Sequence, residues 1–207
     1  LGLTPGNTNT LTANTPLGVL GTSGVDAMTY NGGAMSGLGG DDVITAQVST
    51  VQAQLAAGGS INGGSGVDTL KLQAGTTLDL TAITGNQTVK NIQEVEIFQM
   101  QGQSTLTMSA NDVLSLGATD LAGYSFSSSN TASAGKVQFV VLGTATDKLK
   151  LSHLASDALG SNTGTLPGEW QDKGTVTIGG VAYQVFDHST TKAQVLVGGN
   201  TQTAVSS

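Results

Sequence analysis

Cysteine is absent from this chain of 207 residues, which excludes disulfide bonds, zinc sites with thiolate ligands and cysteine nucleophiles. Arginine is absent as well, and the seven cationic residues are all lysines, against fourteen acidic residues. No lysine precedes Lys71. Because binding to the phosphates of a nucleic acid requires clustered positive charge, this composition excludes a nucleic-acid partner.

Long apolar runs are also absent. No stretch approaches the roughly 18 consecutive apolar residues of a membrane-spanning helix, so we expect no membrane insertion. The first residues do not show the basic and then apolar pattern of a secretory leader. Since the chain begins with Leu1 rather than methionine, we expect it to be a fragment of a longer protein.

Charged residues make up only 10% of the chain and aromatic residues 4%, whereas glycine occupies 30 positions. Beyond Lys71, turns separate short runs rich in Val, Ile, Thr and Phe, which are typical of β-strands. Two glycines between alternating runs predict a β-hairpin at 175–186. The other predicted strands lie at 77–80, 94–98, 104–108, 136–143 and 193–197. The chain is therefore predicted to be all-β.

Two segments have a helical pattern instead. The apolar residues Val48, Val51 and Leu55 share one face of a helix, and Gly58 follows as a stop. The same stretch could instead form degenerate glycine-rich repeats. A second short helix is predicted at 109–117, with a Ser or Asn residue as its N-cap and a glycine at its end.

Composition divides the chain into three parts. Residues 1–20 are rich in Thr and Asn and contain two of the three prolines, so they are predicted to be an extended linker. Residues 21–118 are predicted to form stacked β-coils, and residues 119–207 a β-rich, sandwich-like cap. The last residues, 195–207, are uncharged and rich in small side chains, a composition compatible with an export signal.

Three windows in the second part share the spacing G-x-x-G-x-D-x-apolar-x. They read GTSGVDAMT from Gly21, SGLGGDDVI from Ser36 and GGSGVDTLK from Gly63. The third matches the nonapeptide G-G-x-G-x-D-x-U-x, where U is a large apolar residue, at every fixed position, and the other two each lack one glycine. In this alignment the shared aspartates are Asp26, Asp41 and Asp68.

Such windows have a definite chemistry. Glycines at the first, second and fourth positions can adopt positive φ, so the chain reverses sharply and its carbonyl oxygens turn toward one point. The aspartate adds a carboxylate there, and hard oxygen ligands of this kind suit Ca²⁺. A bound cation would also offset the repulsion between aspartates that have no nearby lysine. We therefore expect the turns at 21–26 and 36–41 to stack and share an ion, with Asp68 in a neighbouring site.

These windows resemble the hemolysin-type calcium-binding (RTX) repeats of bacterial proteins exported by type I secretion. Later segments, among them LDLT, KNIQEVEIF, STLTMSANDVLSLG and GTVTIGGVAYQVF, occur in an order similar to the C-terminal regions of very large RTX adhesins. The resemblance implies a short calcium-binding parallel β-roll, or β-solenoid, that folds on Ca²⁺ after export. It also implies a secreted or cell-surface location, a role in surface attachment and biofilms, and the type I secretion machinery as a partner.

The resemblance also implies a ligand set. Asp26, Asp41 and Asp68 correspond to the ligand aspartates, while Asp42 could add a ligand although its side chain is expected to point off the other face of the strand. Glu96 and the remaining acidic residues are predicted to be solvated or to cap helices, as Asp112 would. The turn residues that complete the candidate metal site are Gly21, Ser23, Gly37, Gly39, Gly63 and Ser65, and the further turn glycines are Gly24, Gly64 and Gly66.

Other functions stay open. Secreted lipases and proteases also end in such repeats, but the chain contains neither a G-x-S-x-G nor an H-E-x-x-H motif, so we expect no enzyme here. His153 and His188 are predicted to be surface or packing residues. A carbohydrate-binding module would use the rings of Trp170 and Tyr183, although a lone tryptophan usually fills a core. Self-association in a surface layer, or binding to a surface glycan, is the remaining alternative.

Overall fold

A computed structural model describes residues 10–12, 18–46, 51–82, 91–152, 168–199 and 201–205. This part of the chain is mostly β-sheet with two short α-helices, which confirms the all-β prediction. The helices are α1 (Val51–Ala56) and α2 (Ala110–Leu116), and a 3-10 turn lies at Leu80–Ala82. The strands are β1 (Thr10–Thr12), β2 (Val19–Leu20), β3 (Ala27–Tyr30), β4 (Ala34–Ser36), β5 (Val43–Ala46), β6 (Ser60–Asn62), β7 (Thr69–Leu72), β8 (Thr77–Asp79), β9 (Ile92–Gln93), β10 (Ile97–Met100), β11 (Thr105–Ser109), β12 (Ala118–Thr119), β13 (Val137–Leu142), β14 (Lys148–Ser152), β15 (Trp170–Ile178), β16 (Val181–His188), β17 (Ala193–Gly198) and β18 (Gln202–Val205).

Ten strands form one large sheet in the order β1-β3-β5-β7-β10-β13-β17-β16-β15, with β12 paired to β13. Along this order, every pair from β1 to β17 is parallel, whereas β16 and β15 pair antiparallel. In the parallel part, Ala27 lies opposite Val43, and Val43 lies opposite Thr69. Because parallel strands cannot be joined by a tight turn, the chain must leave the sheet between them.

After leaving the large sheet, the chain forms strands of two smaller parallel sheets. Their strand orders are β2-β4-β6-β9 and β18-β14-β11-β8. The chain runs from β3 through β4 to β5, and then through β6 to β7, so each passage adds a strand to the large sheet and a strand to a smaller one. We call the stretch from one parallel strand of the large sheet to the next a circuit.

Alternation along the parallel strands places a row of large apolar side chains inside the fold. Met28, Ile44, Leu70 and Phe98 occupy equivalent positions on four successive strands, and all four are buried. The ring of Phe98 packs edge-on against Phe139 of β13, with 4.9 Å between the ring centroids. Burying one side chain of this size stabilises a fold by about 1.5–3 kcal/mol, so the row holds neighbouring circuits together.

The helix predicted after β5 is confirmed as α1. Val51 and Leu55 are buried against the core, as their spacing requires. Gly58 ends the helix with a φ of +94° and donates its N–H to the Leu55 carbonyl. The first residue of the predicted apolar face, Val48, lies outside the described residues. The described part of this stretch is therefore a helix in the circuit from β5 to β7, and not a run of further glycine-rich repeats.

The second predicted helix is confirmed as α2, and its start has the expected cap. The N–H of Asp112 donates to the Ser109 hydroxyl, and the N–H of Ser109 donates to the Asp112 carboxylate at 2.7 Å. This reciprocal pair is a capping box, which satisfies two N–H groups that the first helical turn leaves unpaired. The helix ends before Gly117, whose N–H donates to the Val113 carbonyl.

The linker predicted for residues 1–20 is wrong for the described part of that segment. Thr10–Thr12 forms β1, which pairs in parallel with β3, and Val19–Leu20 forms β2, which pairs in parallel with β4. Each strand extends a sheet by one member. Composition missed them because an existing sheet edge can recruit a strand by hydrogen bonding even when intrinsic strand propensity is weak.

Most predicted strands are present with shifted ends. Strands β8, β11, β13 and β17 overlap the predicted runs, and the predicted hairpin is formed by β15 and β16. Its turn contains Gly179 and Gly180 at φ values of +59° and +83°, which the two glycines allow. The run at 94–98 differs, because β10 begins only at Ile97 and Glu94 has a φ of +48°. Residues 94–96 are therefore a turn.

The domain boundary predicted after residue 118 falls inside β12, which pairs with β13 of the large sheet. A buried polar network lies at the same end of the sheet. Gln138 donates to the Gln194 side chain, which donates to the Asp187 carboxylate. Asp187 also forms an ion pair with Lys136, with 3.1 Å between nitrogen and oxygen. Strands β13, β16 and β17 are thus joined by side chains as well as by their backbones.

Candidate metal centre

The glycine–aspartate windows fold as stacked turns, each of which leads into a strand of the large sheet. The first glycine of each turn donates its N–H to a carbonyl of the next circuit. These bonds run from Gly21 to Ser36 at 2.7 Å, from Gly37 to Asn62 at 2.8 Å and from Gly63 to Gln93 at 3.0 Å. The turns at 21–26 and 37–42 are therefore direct neighbours, and the 63–68 turn stacks on the second of them.

The second window begins one residue later than the sequence alignment predicts. Strand register places Val43 opposite Ala27, so Asp42 rather than Asp41 is equivalent to Asp26. The cause is the core, because Ile44 is fully buried in the apolar row whereas Val43 is 37% exposed. The window as folded therefore begins at Gly37 and not at Ser36, with Leu38 in the place of its second glycine.

This shift exchanges the roles predicted for the two adjacent aspartates. Asp41 is exposed, and its Oδ1 accepts a hydrogen bond from the N–H of Val67 at 2.9 Å. Asp42 is only 1% exposed and lies on the inward side, so the prediction that it points off the other face is wrong. Asp41 bridges two turns at the surface, while Asp42 belongs to the buried row.

Four buried acidic residues form that row, which we call the acid row. It consists of Asp26, Asp42, Asp68 and Glu96, one from each of four successive circuits. A carboxylate oxygen of each later member accepts a hydrogen bond from the backbone N–H of the member before it. These bonds measure 2.8 Å to Asp42, 2.7 Å to Asp68 and 2.8 Å to Glu96.

Glu96 is the member that sequence reasoning missed. It is 6% exposed, not solvated as predicted, and it stands opposite Asp68 in the register of β7 and β10. Its circuit has no glycine turn, and Glu94, the residue that follows β9, has a φ of +48°. The available signal was the tetrapeptide VEIF, which repeats the x-D-x-U end of the windows with Glu in place of Asp.

Three oxygens of the acid row are buried without any hydrogen-bond donor, and they are Asp26 Oδ1, Asp42 Oδ2 and Asp68 Oδ2. Main-chain carbonyl oxygens lie close to the row. A Cβ built on Gly37 would collide with both Asp42 Oδ2 and the Gly63 carbonyl oxygen, and a Cβ on Gly63 would collide with Asp68 Oδ2 and the Glu94 carbonyl oxygen. Pairs of acceptors thus face each other with no donor between them, an arrangement that a cation or a proton would relieve.

Burial raises the pKa of the carboxyls of Asp42, Asp68 and Glu96. It raises the pKa of Asp42 to about 6, and the nearby charges of Asp68 and Asp26 act in the same direction, against the hydrogen bond from the Asp26 N–H. Burial also raises the pKa of Asp68 and raises that of Glu96 to about 7. No lysine or histidine of the described residues pairs with the row, since their one ion pair joins Lys136 to Asp187. At pH 7.5 the row therefore carries buried negative charge.

The turn glycines act in two different ways. Gly64 and Gly66 have φ values of +103° and +139°, and Gly40 has +98°, as the sharp turns require. The first glycines do not have positive φ, which corrects the sequence expectation. They are required because the carboxylate and the next circuit's carbonyl occupy the space of a Cβ: at Gly21 that position lies 2.5 Å from the Gly37 oxygen and 2.8 Å from Asp26 Oδ2.

The third position of each turn lies outside the acid row. Ser23 and Ser65 are exposed, and Gly39 forms a parallel bridge with Ser65. The N–H of Gly39 donates to the Thr22 carbonyl at 3.2 Å. These residues, predicted as part of the metal site, stack the turns on one another through their backbones.

Leu38 occupies a turn position with a φ of +74°, where a side chain is strained, and it is 50% exposed. Replacing Leu38 with glycine is expected to raise the free energy of unfolding by about 1 kcal/mol, because the left-handed conformation costs an L-residue roughly that much. Chemical denaturation measures the change. Leu38→Ala is the control, since alanine keeps the Cβ that causes the strain. Equal stability of the glycine and alanine variants would contradict this account.

The rings predicted for a carbohydrate-binding module are not available as platforms. Trp170 and Tyr183 are each 5% exposed. Trp170 contacts the ring of His188 edge-on at 5.4 Å between centroids, and Tyr183 contacts Tyr124 in the same way at 5.6 Å. His188 is buried, as a packing residue would be. His153 lies outside the described residues.

A hard cation beside the acid row would need ligands from the backbone as well as from side chains. Within the described ranges, no group of three or more His, Cys, Asp or Glu side chains is arranged to hold a metal ion. Neighbouring circuits supply their carboxylates two at a time, and the residue beside Asp26 is Asp42 rather than the predicted Asp41. Calcium accepts main-chain carbonyls among its six to eight oxygen ligands, and the carbonyls of Gly37, Gly63 and Glu94 lie beside the row.

Comparison of the chain with protein-family models, with curated proteins and with solved structures finds no match. Neither α1 nor α2, the α-helices of the described residues, is long and apolar enough to cross a lipid bilayer. The strongest functional indication within the chain is therefore the acid row, with its unpaired oxygens and the carbonyls that face them.

Proposed function

We propose that this chain is a calcium-stabilised structural module of a secreted surface protein, in which the circuits form a short β-roll that continues into further β-coils. The observation that supports the proposal is the acid row: four buried carboxylates on successive parallel strands, three of them with an oxygen that has no donor. Asp26, Asp42, Asp68 and the facing carbonyls would hold the ions. When bound, Ca²⁺ supplies positive charge that the described residues do not place there.

The electrostatic energy of the acid row favours an ion-bound state over a bare one. Ionised carboxylates in neighbouring circuits repel each other, and each also loses hydration on burial. Protonation removes both costs only below the raised pKa values, which are about 6 for Asp42 and about 7 for Glu96. At the pH of most extracellular fluids a divalent cation with a preference for oxygen removes them more completely. Ca²⁺ fits better than Mg²⁺ because it tolerates irregular geometry and carbonyl ligands.

Calcium dependence would also restrict complete folding to the extracellular side, where calcium is abundant. Extracellular calcium modules bind at roughly 10⁻⁴–10⁻³ M, far above cytosolic calcium, so such a chain stays loose before export and becomes rigid outside. This behaviour suits an adhesin that passes through the type I secretion machinery and then attaches to a surface glycan or to further copies. Catalysis has no place in this proposal, since the row offers no nucleophile or acid–base pair near a substrate cleft.

The proposal is tested by thermal unfolding, followed by circular dichroism, in chelator and in about 5 mM CaCl₂, a saturating concentration for an extracellular site. We expect Ca²⁺ to raise the unfolding temperature, since an ion at roughly 5–50 times its dissociation constant adds about 1–2 kcal/mol per site. The same concentration of MgCl₂ is the control and should have a much smaller effect. Identical unfolding curves in chelator and in CaCl₂ would contradict the proposal.

A further inference from the structure

Glu96 ends the acid row on a circuit that lacks the glycine–aspartate motif. Its Oε2 accepts a hydrogen bond from the N–H of Asp68 at 2.8 Å, which is the same contact that Asp68 makes with Asp42. The glutamate is therefore an integral member of the row. The turn between β9 and β10 contains no glycine, and Glu94 adopts a positive φ there.

The position that follows Glu96 on the next strand of the large sheet is apolar. The register of β10 and β13 pairs Ile97 with Val140, so the position that follows Glu96 in the row is Phe139. Phe139 is fully buried and packs against Phe98. The apolar ring of Phe139 cannot offset a charge, so an ion that neutralises Glu96 would lie on the side of Asp68.

Oxygen ligands are present on that side. Asp68 Oδ2 is buried and has no donor, and a Cβ on Gly63 would collide with this oxygen and with the Glu94 carbonyl oxygen. Asp68 Oδ2 thus lies beside a main-chain carbonyl, and the hydrogen bond from the Asp68 N–H holds the Glu96 carboxylate on the same side. This combination repeats what Asp42 Oδ2 and the Gly63 carbonyl provide one circuit earlier.

We infer that Glu96 is a calcium ligand and that, with Asp68 and the Glu94 carbonyl, it forms the last ion position of the row. The inference rests on the proposed function and extends it to a residue outside the repeat motif. The row then offers three neighbouring carboxyl pairs, 26 with 42, 42 with 68 and 68 with 96, and the third pair exists only because of the glutamate. The calcium-binding part of the chain accordingly extends one circuit past the last glycine-rich window.

The test is Glu96→Gln in the full chain. Glutamine keeps the size of the side chain and an oxygen that can accept the Asp68 N–H, but it removes the charge. Bound calcium is counted by elemental analysis after equilibrium dialysis, and affinity is measured by isothermal titration calorimetry. We expect Glu96→Gln to bind one calcium ion fewer per chain than the wild type. In chelator at pH 7.5 the variant should unfold at a higher temperature than the wild type, which shows that its fold is intact.

Two further variants make the result specific. Glu169→Gln removes the same charge from an exposed side chain that directly precedes β15, outside the acid row, and should keep the full number of ions. Glu96→Asp restores the charge and should recover part of the lost affinity. Full calcium binding by Glu96→Gln, while the wild type binds calcium, would overturn the role of Glu96 alone. A wild type that binds no calcium would overturn this inference together with the proposed function.

Discussion

Replacing Asp42 with asparagine is expected to have opposite effects on the metal-free and the calcium-loaded protein. In chelator at pH 7.5 the variant should gain about 2–3 kcal/mol in the free energy of unfolding, because the pKa of Asp42 is raised by burial to about 6 and each pKa unit corresponds to about 1.4 kcal/mol. The Asn oxygen can still accept the Asp26 N–H. Its amide nitrogen would lie beside the Gly63 carbonyl, where it can donate. In CaCl₂ the variant should lose stability, since a ligand has been removed.

The same groups give the metal-free protein a defined pH dependence. Asp42, Asp68 and Glu96 have raised pKa values in the folded state, so the folded protein binds more protons than the unfolded chain between about pH 4 and pH 7. The free energy of unfolding should therefore fall as the pH rises through this window. Urea denaturation in chelator at pH 5.0 and 7.5 measures the slope, and Asp42→Asn should flatten it.

Asp41→Asn is the matched control for this prediction. It removes the same charge from the adjacent residue, which is exposed and lies outside the row. Its metal-free stability should fall with rising pH about as steeply as that of the wild type, and its calcium binding should be kept. If Asp41→Asn rather than Asp42→Asn abolished binding, the alignment of the second window from Ser36 would be right and the register-based site would be wrong.

Replacing Gly37 with alanine is expected to be among the most destabilising single changes in the described part of the chain. The added Cβ would lie far closer than 3.0 Å to Asp42 Oδ2 and to the Gly63 carbonyl oxygen. The carbonyl belongs to the backbone of the next circuit, so relief requires the two circuits to separate. We expect a loss of about 3 kcal/mol in the free energy of unfolding, at the upper end for overpacking. Calcium should no longer rescue the full stability.

Gly24→Ala is the control within the neighbouring turn. The nearest atom to its Cβ would be the Thr22 hydroxyl at 3.9 Å, and Gly24 does not have a positive φ. This substitution should be neutral or slightly stabilising, because alanine reduces the conformational freedom of the unfolded chain. Equal losses from Gly24→Ala and Gly37→Ala in urea denaturation would show that glycine matters here for flexibility and not for close approach.

Local patterns predicted the elements of this fold well. The spacing of Val51 and Leu55, and the Ser109 cap, depend on neighbours within a few residues, and both helices are confirmed. The Gly–Gly turn of the hairpin is equally local. These features are written in short stretches of sequence, so they can be found before any long-range contact is known.

Which aspartates align in the candidate site depends on long-range contacts, and these cannot be read from the spacing of residues in the sequence. Asp41 and Asp42 are both possible partners for Asp26, and only the burial of Ile44 on β5 decides between them. The correct alignment of the second window, from Gly37, is hard to see in the sequence because Leu38 stands where the motif has glycine. Glu96 was missed for a related reason. The motif is defined by the residues of its turn, whereas the acid row is defined by which residues lie opposite each other on neighbouring strands.

The lengths of the circuits determine how this fold closes. Residues that meet across neighbouring parallel strands are separated by 16, 26 and 28 positions in the acid row, and by 56 where Gln138 meets Gln194. Lengthening a closing loop from 16 to 56 residues adds only about 1 kcal/mol of chain entropy, so long excursions cost little at equilibrium. Kinetically they matter more, since pairings distant along the chain form slowly. The short early circuits thus offer the fastest nucleus, and the strands near the carboxyl terminus are placed to dock onto it last.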